Sequence, residues 1–161
     1  MQSEAFEYPD DKAAMYHILK TQLQSLTDGV PHLTANLANA SALLNQALEG
    51  INWVGFYLLE GERLVLGPFQ GNPACIEIPI GKGVCGTAVS KDAVMVIKNV
   101  HEFPGHIACD SASNSEIVIP LHNGSGKIVG VLDIDSPHLA RFDEADREGL
   151  TDFAQVLEQL F

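Results

Sequence analysis

The hydrophobic period of this chain changes at Ile51, and that change limits what the chain can fold into. Upstream, Met15, Ile18, Leu19, Gln22, Leu23 and Leu26 recur at spacings of three and four, which predicts a helix from about Asp10 to Thr27. Asp28-Gly29 stops it. Pro31 suits the first turn of a second helix, with Leu33, Leu37, Ala40, Leu44 and Leu48 on one stripe and Glu49-Gly50 at its end. Downstream, the segment from Ile51 to Leu59 is rich in aromatic and β-branched residues and reads as a strand. Glu60-Gly61-Glu62 turns it back into Arg63-Leu64-Val65-Leu66. A stretch rich in glycine and proline follows, from Gly67 to Gly86, with room for a short strand at Ile76-Glu77-Ile78-Pro79. Gly83 to Ser90 starts a short helix, and Val94 to Ile97 is a strand. Glu116 to Pro120 and Ile128 to Asp135 form a hairpin over Asn123-Gly124-Ser125-Gly126. A last helix opens at Asp143 as N-cap and buries Leu150, Phe153, Ala154, Leu157 and Leu160. Two helices, hairpin-linked strands and a closing helix give an α+β fold, a central antiparallel sheet flanked by helices.

The 161 residues fit a single domain, residues 1–161, with residues 1–9 as an N-terminal arm. Hydrophobic residues make up 46% of the chain and charged residues 19%, which is enough apolar material for a core. The net charge is −12, so the chain repels phosphate backbones; neither nucleic acid nor an anionic membrane is expected as a partner. No apolar run approaches the roughly 18 residues needed to span a bilayer. The acidic start, Met1-Gln2-Ser3-Glu4, is unlike a signal peptide, so a cytoplasmic protein with reduced thiols is expected.

The chain has three Cys, an odd number that argues against a secreted disulfide scaffold. Cys109 lies in a polar segment from Lys98 to Ser115 that has no clear period, and long loops of that kind usually carry function. Asp133 and Asp135 share one face of their strand, because side chains alternate with a period of two; Leu132 and Ile134 take the other face. Either the strand simply ends there with wet aspartates, or the pair belongs to a carboxylate cluster that receives a cation. Glu116 opens the adjacent strand, so three carboxylates can gather beside Cys109. Such a cluster raises the pKa values of its members and of any thiol among them, and one acid can then keep its proton at neutral pH. A zwitterionic amino acid whose reacting group needs a proton suits this arrangement, and a phosphate-bearing ligand does not.

Cys85 sits among glycines in Gly81-Lys82-Gly83-Val84-Cys85-Gly86, read as a loop near a helix start, where a helix N-terminus would favour thiolate. The cysteines are separated by 9 and 23 residues, which matches no zinc pattern; His101 and His106 would have to complete one, and no metal is expected. Trp53, the one tryptophan, reads first as core.

Four segments together carry a resemblance. They are Ile51 to Tyr57, Gly81 to Ala88, His106 to Glu116 with its Cys109-Asp110, and Gly130 to Ser136 with its Asp-x-Asp. In these the chain resembles the free methionine-(R)-sulfoxide reductases, small stand-alone GAF-domain enzymes, over nearly its whole length. The resemblance implies a GAF-like fold and reduction of free L-methionine (R)-sulfoxide to methionine. It implies that Cys109 attacks the sulfoxide sulfur and is left as a sulfenic acid, that Cys85 occupies the main resolving position, and that Cys75 is an auxiliary thiol. Which of Cys75 and Cys85 pairs with Cys109 stays open. Glu116, Asp133 and Asp135 match substrate-binding carboxylates, with Asp133 assigned to the amine, and Trp53 matches the pocket wall. Backbone N–H groups between Ile107 and Ser115 would receive the substrate carboxylate. No cofactor is implied, because the electrons come from thioredoxin and ultimately from NADPH. A homodimer is implied by analogy. The competing readings are a non-catalytic GAF module that binds a small ligand, and a thiol redox sensor.

Overall fold

The computed structural model describes residues 6–161. Residues 1–5 of the expected arm lie outside the described residues. The rest of the arm packs on the first helix, where the Tyr8 hydroxyl donates to Gln22 Oε1 at 2.7 Å. The helices are α1 (Lys12–Thr27), α2 (Leu33–Ala47), α3 (Gly83–Lys91) and α4 (Glu144–Glu158). The strands are β1 (Trp53–Glu60), β2 (Arg63–Gly71), β3 (Glu77–Pro79), β4 (Met95–Ile97), β5 (Ser115–His122) and β6 (Ile128–Ser136). They form one six-stranded sheet in the order β3-β2-β1-β6-β5-β4, and every neighbouring pair is antiparallel. The expected α+β arrangement is therefore present.

The sheet separates two cores. On one face Val54, Phe56, Ile117, Ile119, Leu121, Leu132 and Ile134 pack against α1, α2 and α4, with Leu19, Leu23, Leu37, Leu44 and Phe153 opposite. On the other face Trp53, Tyr57, Val118 and Val131 pack against α3 through Val84, Cys85, Ala88 and Val89. The alternation read from the sequence holds, since Leu132 and Ile134 join the first core while Val131 and Asp133 face α3.

Two boundaries differ from the sequence reading. The second helix starts at Leu33 with His32 as N-cap, not at Pro31. Strand β2 continues to Gly71 through a segment expected to be irregular. Its register with β1 shifts between Gly55 and Tyr57, and Gly67 and Pro68 fall in that irregularity. Beyond Leu66 the strand has left its pairing with β3, so Pro68 sits on an edge where its missing N–H costs no ladder bond.

Helix α4 is fixed by its first turn. Asp143 is its N-cap, as expected, and forms a reciprocal capping box with Asp146. Asp146 is fully buried. It accepts from the Tyr16 hydroxyl at 2.7 Å, Lys12 Nζ at 2.7 Å, Arg141 Nη1 at 3.3 Å and its own cap residue's N–H at 2.9 Å. Gly149 allows this closeness, because a Cβ there would collide with the Tyr16 ring.

Candidate active site

The face of the sheet that carries α3 also holds a small cavity of about 40 Å³. Its floor comes from β1, β5 and β6. Glu116 pairs directly with Asp135 across β5 and β6, and Asp135 pairs with Trp53 across β6 and β1. Asp133 faces Gly55 on one side and Val118 on the other. Glu116 and Asp133 are buried at 7% and 5% exposure, and Asp135 is half-buried.

Among the described residues, no Lys, Arg or His forms an ion pair with any of these three carboxyls. Burial is the largest cause that pushes all three above the usual carboxylate range. The charge of Asp133 adds to the rise at Glu116 and at Asp135. At Asp133 itself, hydrogen bonding with Glu116, Cys85 and Asp135 counters part of the rise. One Asp133 oxygen, Oδ1, is buried with no hydrogen-bond partner among the described residues. A buried carboxylate left without a cation costs on the order of several kcal/mol. The arrangement is thus strained towards holding protons or accepting a cation.

Trp53 and Tyr57 line the cavity beside these acids. Trp53 is 2% exposed, stacks on Phe69 at 5.1 Å and donates from Nε1 to the Asn72 carbonyl at 3.2 Å. It is both core and pocket wall. The Tyr57 hydroxyl donates to the Cys75 carbonyl at 2.9 Å, and burial together with the charge of Asp133 pushes its pKa far up. Tyr57 therefore stays neutral.

Cys109 lines the cavity and forms a disulfide with Cys75, with Cα atoms 5.3 Å apart across 34 residues. The Cys109 loop is tied to the ends of β1 and β6. Asn52 Nδ2 donates to Asp110 Oδ2 at 3.1 Å and to Ser113 Oγ at 3.2 Å. The Asn114 N–H donates to the Ser136 carbonyl at 2.7 Å, and the His101 ring meets Asn114 Oδ1 at 2.8 Å. A nucleophile on such a loop is held by strand ends on both sides while remaining reachable.

The GAF domain family matches residues 23–160. Protein YtsP of Bacillus subtilis is 56% identical over 151 residues, 92% of each chain. The free methionine-R-sulfoxide reductase of Escherichia coli is 52% identical over 150 residues, covering 93% of this chain and 90% of that one. The chain belongs to the free methionine-R-sulfoxide reductase family of GAF domains. A crystal structure of the Neisseria meningitidis free methionine-R-sulfoxide reductase in complex with its substrate superimposes with a TM-score of 0.92 at 46% identity, over 99% of this chain and 96% of that one.

Within this family frame, the structure brings Cys109, Cys85, Trp53, Glu116, Asp133 and Asp135 to one cavity, with Cys75 joined to it through Cys109. Two expectations about Cys85 change. It is not on a loop but in the first turn of α3, at 4% exposure and free of any disulfide. The reason is Gly86, where a Cβ would run into the Pro79 carbonyl, so glycine lets α3 press against the preceding turn. The helix N-terminus also does not produce a thiolate. Burial, then the charges of Asp133, Glu116 and Asp135, push the Cys85 thiol up. The residue bonded to Cys109 is Cys75, which answers the pairing left open between Cys75 and Cys85.

The loop N–H groups proposed for the substrate carboxylate are partly spent. Those of Cys109, Ala112, Ser113 and Asn114 already have partners. Tyr57 and Asn52 were not singled out from the sequence. Tyr57 had a usable signal, since it lies four residues from Trp53 in one strand and so on the same face. Asn52 had none, because its partners are 58 and 61 residues away.

Proposed function

We propose that this protein reduces free L-methionine (R)-sulfoxide to L-methionine. The observation that carries the reading is the cluster of buried Glu116 and Asp133 with half-buried Asp135, without a basic partner among the described residues, beside a Cys109 that is bonded to Cys75. The α-ammonium of a free amino acid supplies the missing cation. We assign it to Asp133, whose Oδ1 is unpartnered. Trp53 and Tyr57 form an apolar wall for the S-methyl end. A methionine sulfoxide inside a peptide has no ammonium, and its binding would leave the acids buried and unpaired.

The chemistry divides among the remaining groups. The Cys109 thiolate attacks the sulfoxide sulfur while Glu116 or Asp135, kept protonated by burial, delivers a proton to the oxygen. The S–O bond breaks, methionine leaves and Cys109 carries the oxygen as a sulfenic acid. The Cys75 thiol displaces that oxygen as water, which forms the observed bond. A dithiol protein of the thioredoxin type, reduced in turn from NADPH, exchanges with the disulfide and restores both thiols. The reaction needs no bound cofactor. The substrate carboxylate is received by loop N–H groups between Ile107 and Ser111. A homodimer in the cytoplasm completes the reading by family analogy.

A thioredoxin-coupled NADPH assay with free R, free S and both peptide-bound epimers tests it. Activity is expected on free R alone. Cys109→Ser is expected to lose all turnover, Cys75→Ser to give one turnover and stall, and Cys85→Ser to keep cycling. Reduction of peptide-bound substrate at a comparable rate would defeat the ammonium argument.

A further inference from the structure

We propose that the same cavity binds a single thiophilic divalent cation, of the Zn²⁺ or Co²⁺ kind, through Cys85 Sγ and one oxygen each of Glu116 and Asp133. The three ligand atoms lie within 4.8 Å of one another. All three residues are buried, Cys85 at 4%, Glu116 at 7% and Asp133 at 5%. They arrive from α3, β5 and β6, so no sequence spacing could announce them, and the absence of a zinc pattern among the cysteines does not bear on this set.

A second observation points to a ligand. Asp133 Oδ1 is buried without a partner, in a residue that lines the cavity. A mixed set of one thiolate and two carboxylates suits a borderline-soft ion that takes four ligands, and it suits Mg²⁺ or Ca²⁺ poorly, since those prefer oxygen alone. The cavity of about 40 Å³ leaves room for water as a fourth ligand. Binding involves no electron transfer. The metal–sulfur bond forms as the Cys85 thiol gives up its proton, and any proton held on Glu116 or Asp133 is released as well. The disulfide of Cys75 and Cys109 lies outside the donor set, so the ion enters the oxidised protein. Because the ion and, on the reductase reading, the substrate ammonium both bind Asp133, the metal is an occupant that excludes substrate.

The donor geometry stands apart from the reductase reading, and the test keeps them apart by reading spectra rather than turnover. In the disulfide form Cys85 is the sole thiol of the chain. That form is titrated with Co²⁺ alone, in a buffer free of thiols and chelators. The expected result is binding of one equivalent with a thiolate-to-cobalt charge-transfer band in the near ultraviolet and release of protons. Cys85→Ala is expected to remove the band and to weaken binding more than about tenfold. Asp133→Asn keeps the thiol and the side-chain shape, and is expected to weaken binding with the band retained at saturation. No binding, binding without the charge-transfer band, or unchanged affinity in Asp133→Asn would overturn the proposal.

Discussion

This molecule buries carboxylates in two places, and it treats them in opposite ways. Asp146, between α1 and α4, is fully enclosed and receives Lys12, Arg141, the Tyr16 hydroxyl and its own cap N–H. Glu116, Asp133 and Asp135, on the other face of the sheet, are enclosed without any cation among the described residues. The first arrangement repays desolvation inside the fold and joins two helices. The second leaves desolvation unpaid until something binds. Burial alone therefore does not mark a functional acid; the missing partner does.

The contrast is broken most strongly at Asp146. Asp146→Asn is expected to lower stability by about 3–5 kcal/mol, because it leaves Lys12 and Arg141 facing a neutral group. Denaturant unfolding measures this, and the kcat/KM of the folded protein should stay near wild type. At the other site Asp133→Asn is expected to cost about 2–5 kcal/mol in kcat/KM, roughly 30- to several-thousandfold. Its melting temperature should rise, since a repelling charge is gone. A lower melting temperature for Asp133→Asn would erase the distinction between the two clusters.

Gly149→Ala is expected to destabilise by about 1–3 kcal/mol, by pushing the Tyr16 ring away from α4 and loosening its bond to Asp146. Chemical denaturation of this variant should show no loss of specific activity in the folded fraction.

The pH dependence of stability should differ in sign between the two regions. The site carboxyls have folded pKa values above those of the unfolded chain, so the folded protein keeps protons that the unfolded chain has lost. Their contribution falls as pH rises above about 4. Asp143 behaves in reverse. The hydrogen bond from Lys12 pulls it down to about 2, so its contribution is present above about 4 and vanishes as pH falls towards 2. Unfolding curves from pH 3 to 8 should show a shallower decline above pH 5 in Asp133→Asn than in wild type.

A further histidine adds the smallest effect. Burial alone would lower the pKa of His122, but hydrogen bonds and charge from Asp92 and Glu158 outweigh it and raise the value. The bridge stabilises below the unfolded value of about 6.5 and is lost as pH rises through the folded one. His122→Gln should reduce stability by about 1 kcal/mol or less at pH 6 and by still less at pH 9.

The helices and hairpins were legible because their periods are local. Leu19 and Leu23 or Leu132 and Ile134 announce a face without reference to any other segment. The length of β2 was not legible, since Gly67 and Pro68 look like punctuation and are tolerated only because that part of the strand is an edge. The site was legible in part. The shared face of Asp133 and Asp135 follows from strand alternation, and the place of Glu116 follows from the hairpin. The burial of Cys85 was hidden, because it depends on how closely α3 approaches the Pro79 turn at Gly86.

By itself, then, the sequence determined which residues share a face: the two helical stripes, the alternating strands, and Asp133 with Asp135 on one face of a strand whose hairpin partner carries Glu116. Alternation and hairpin register are properties of neighbouring residues, so they can be read without a fold. Only the tertiary structure decided that Cys75 meets Cys109, that Cys85 lies buried against the acids, and that Asp146 has cations while Asp133 has none among the described residues. Those outcomes depend on contacts between elements far apart in the chain, and on a desolvation cost that exists only once the sheet is covered.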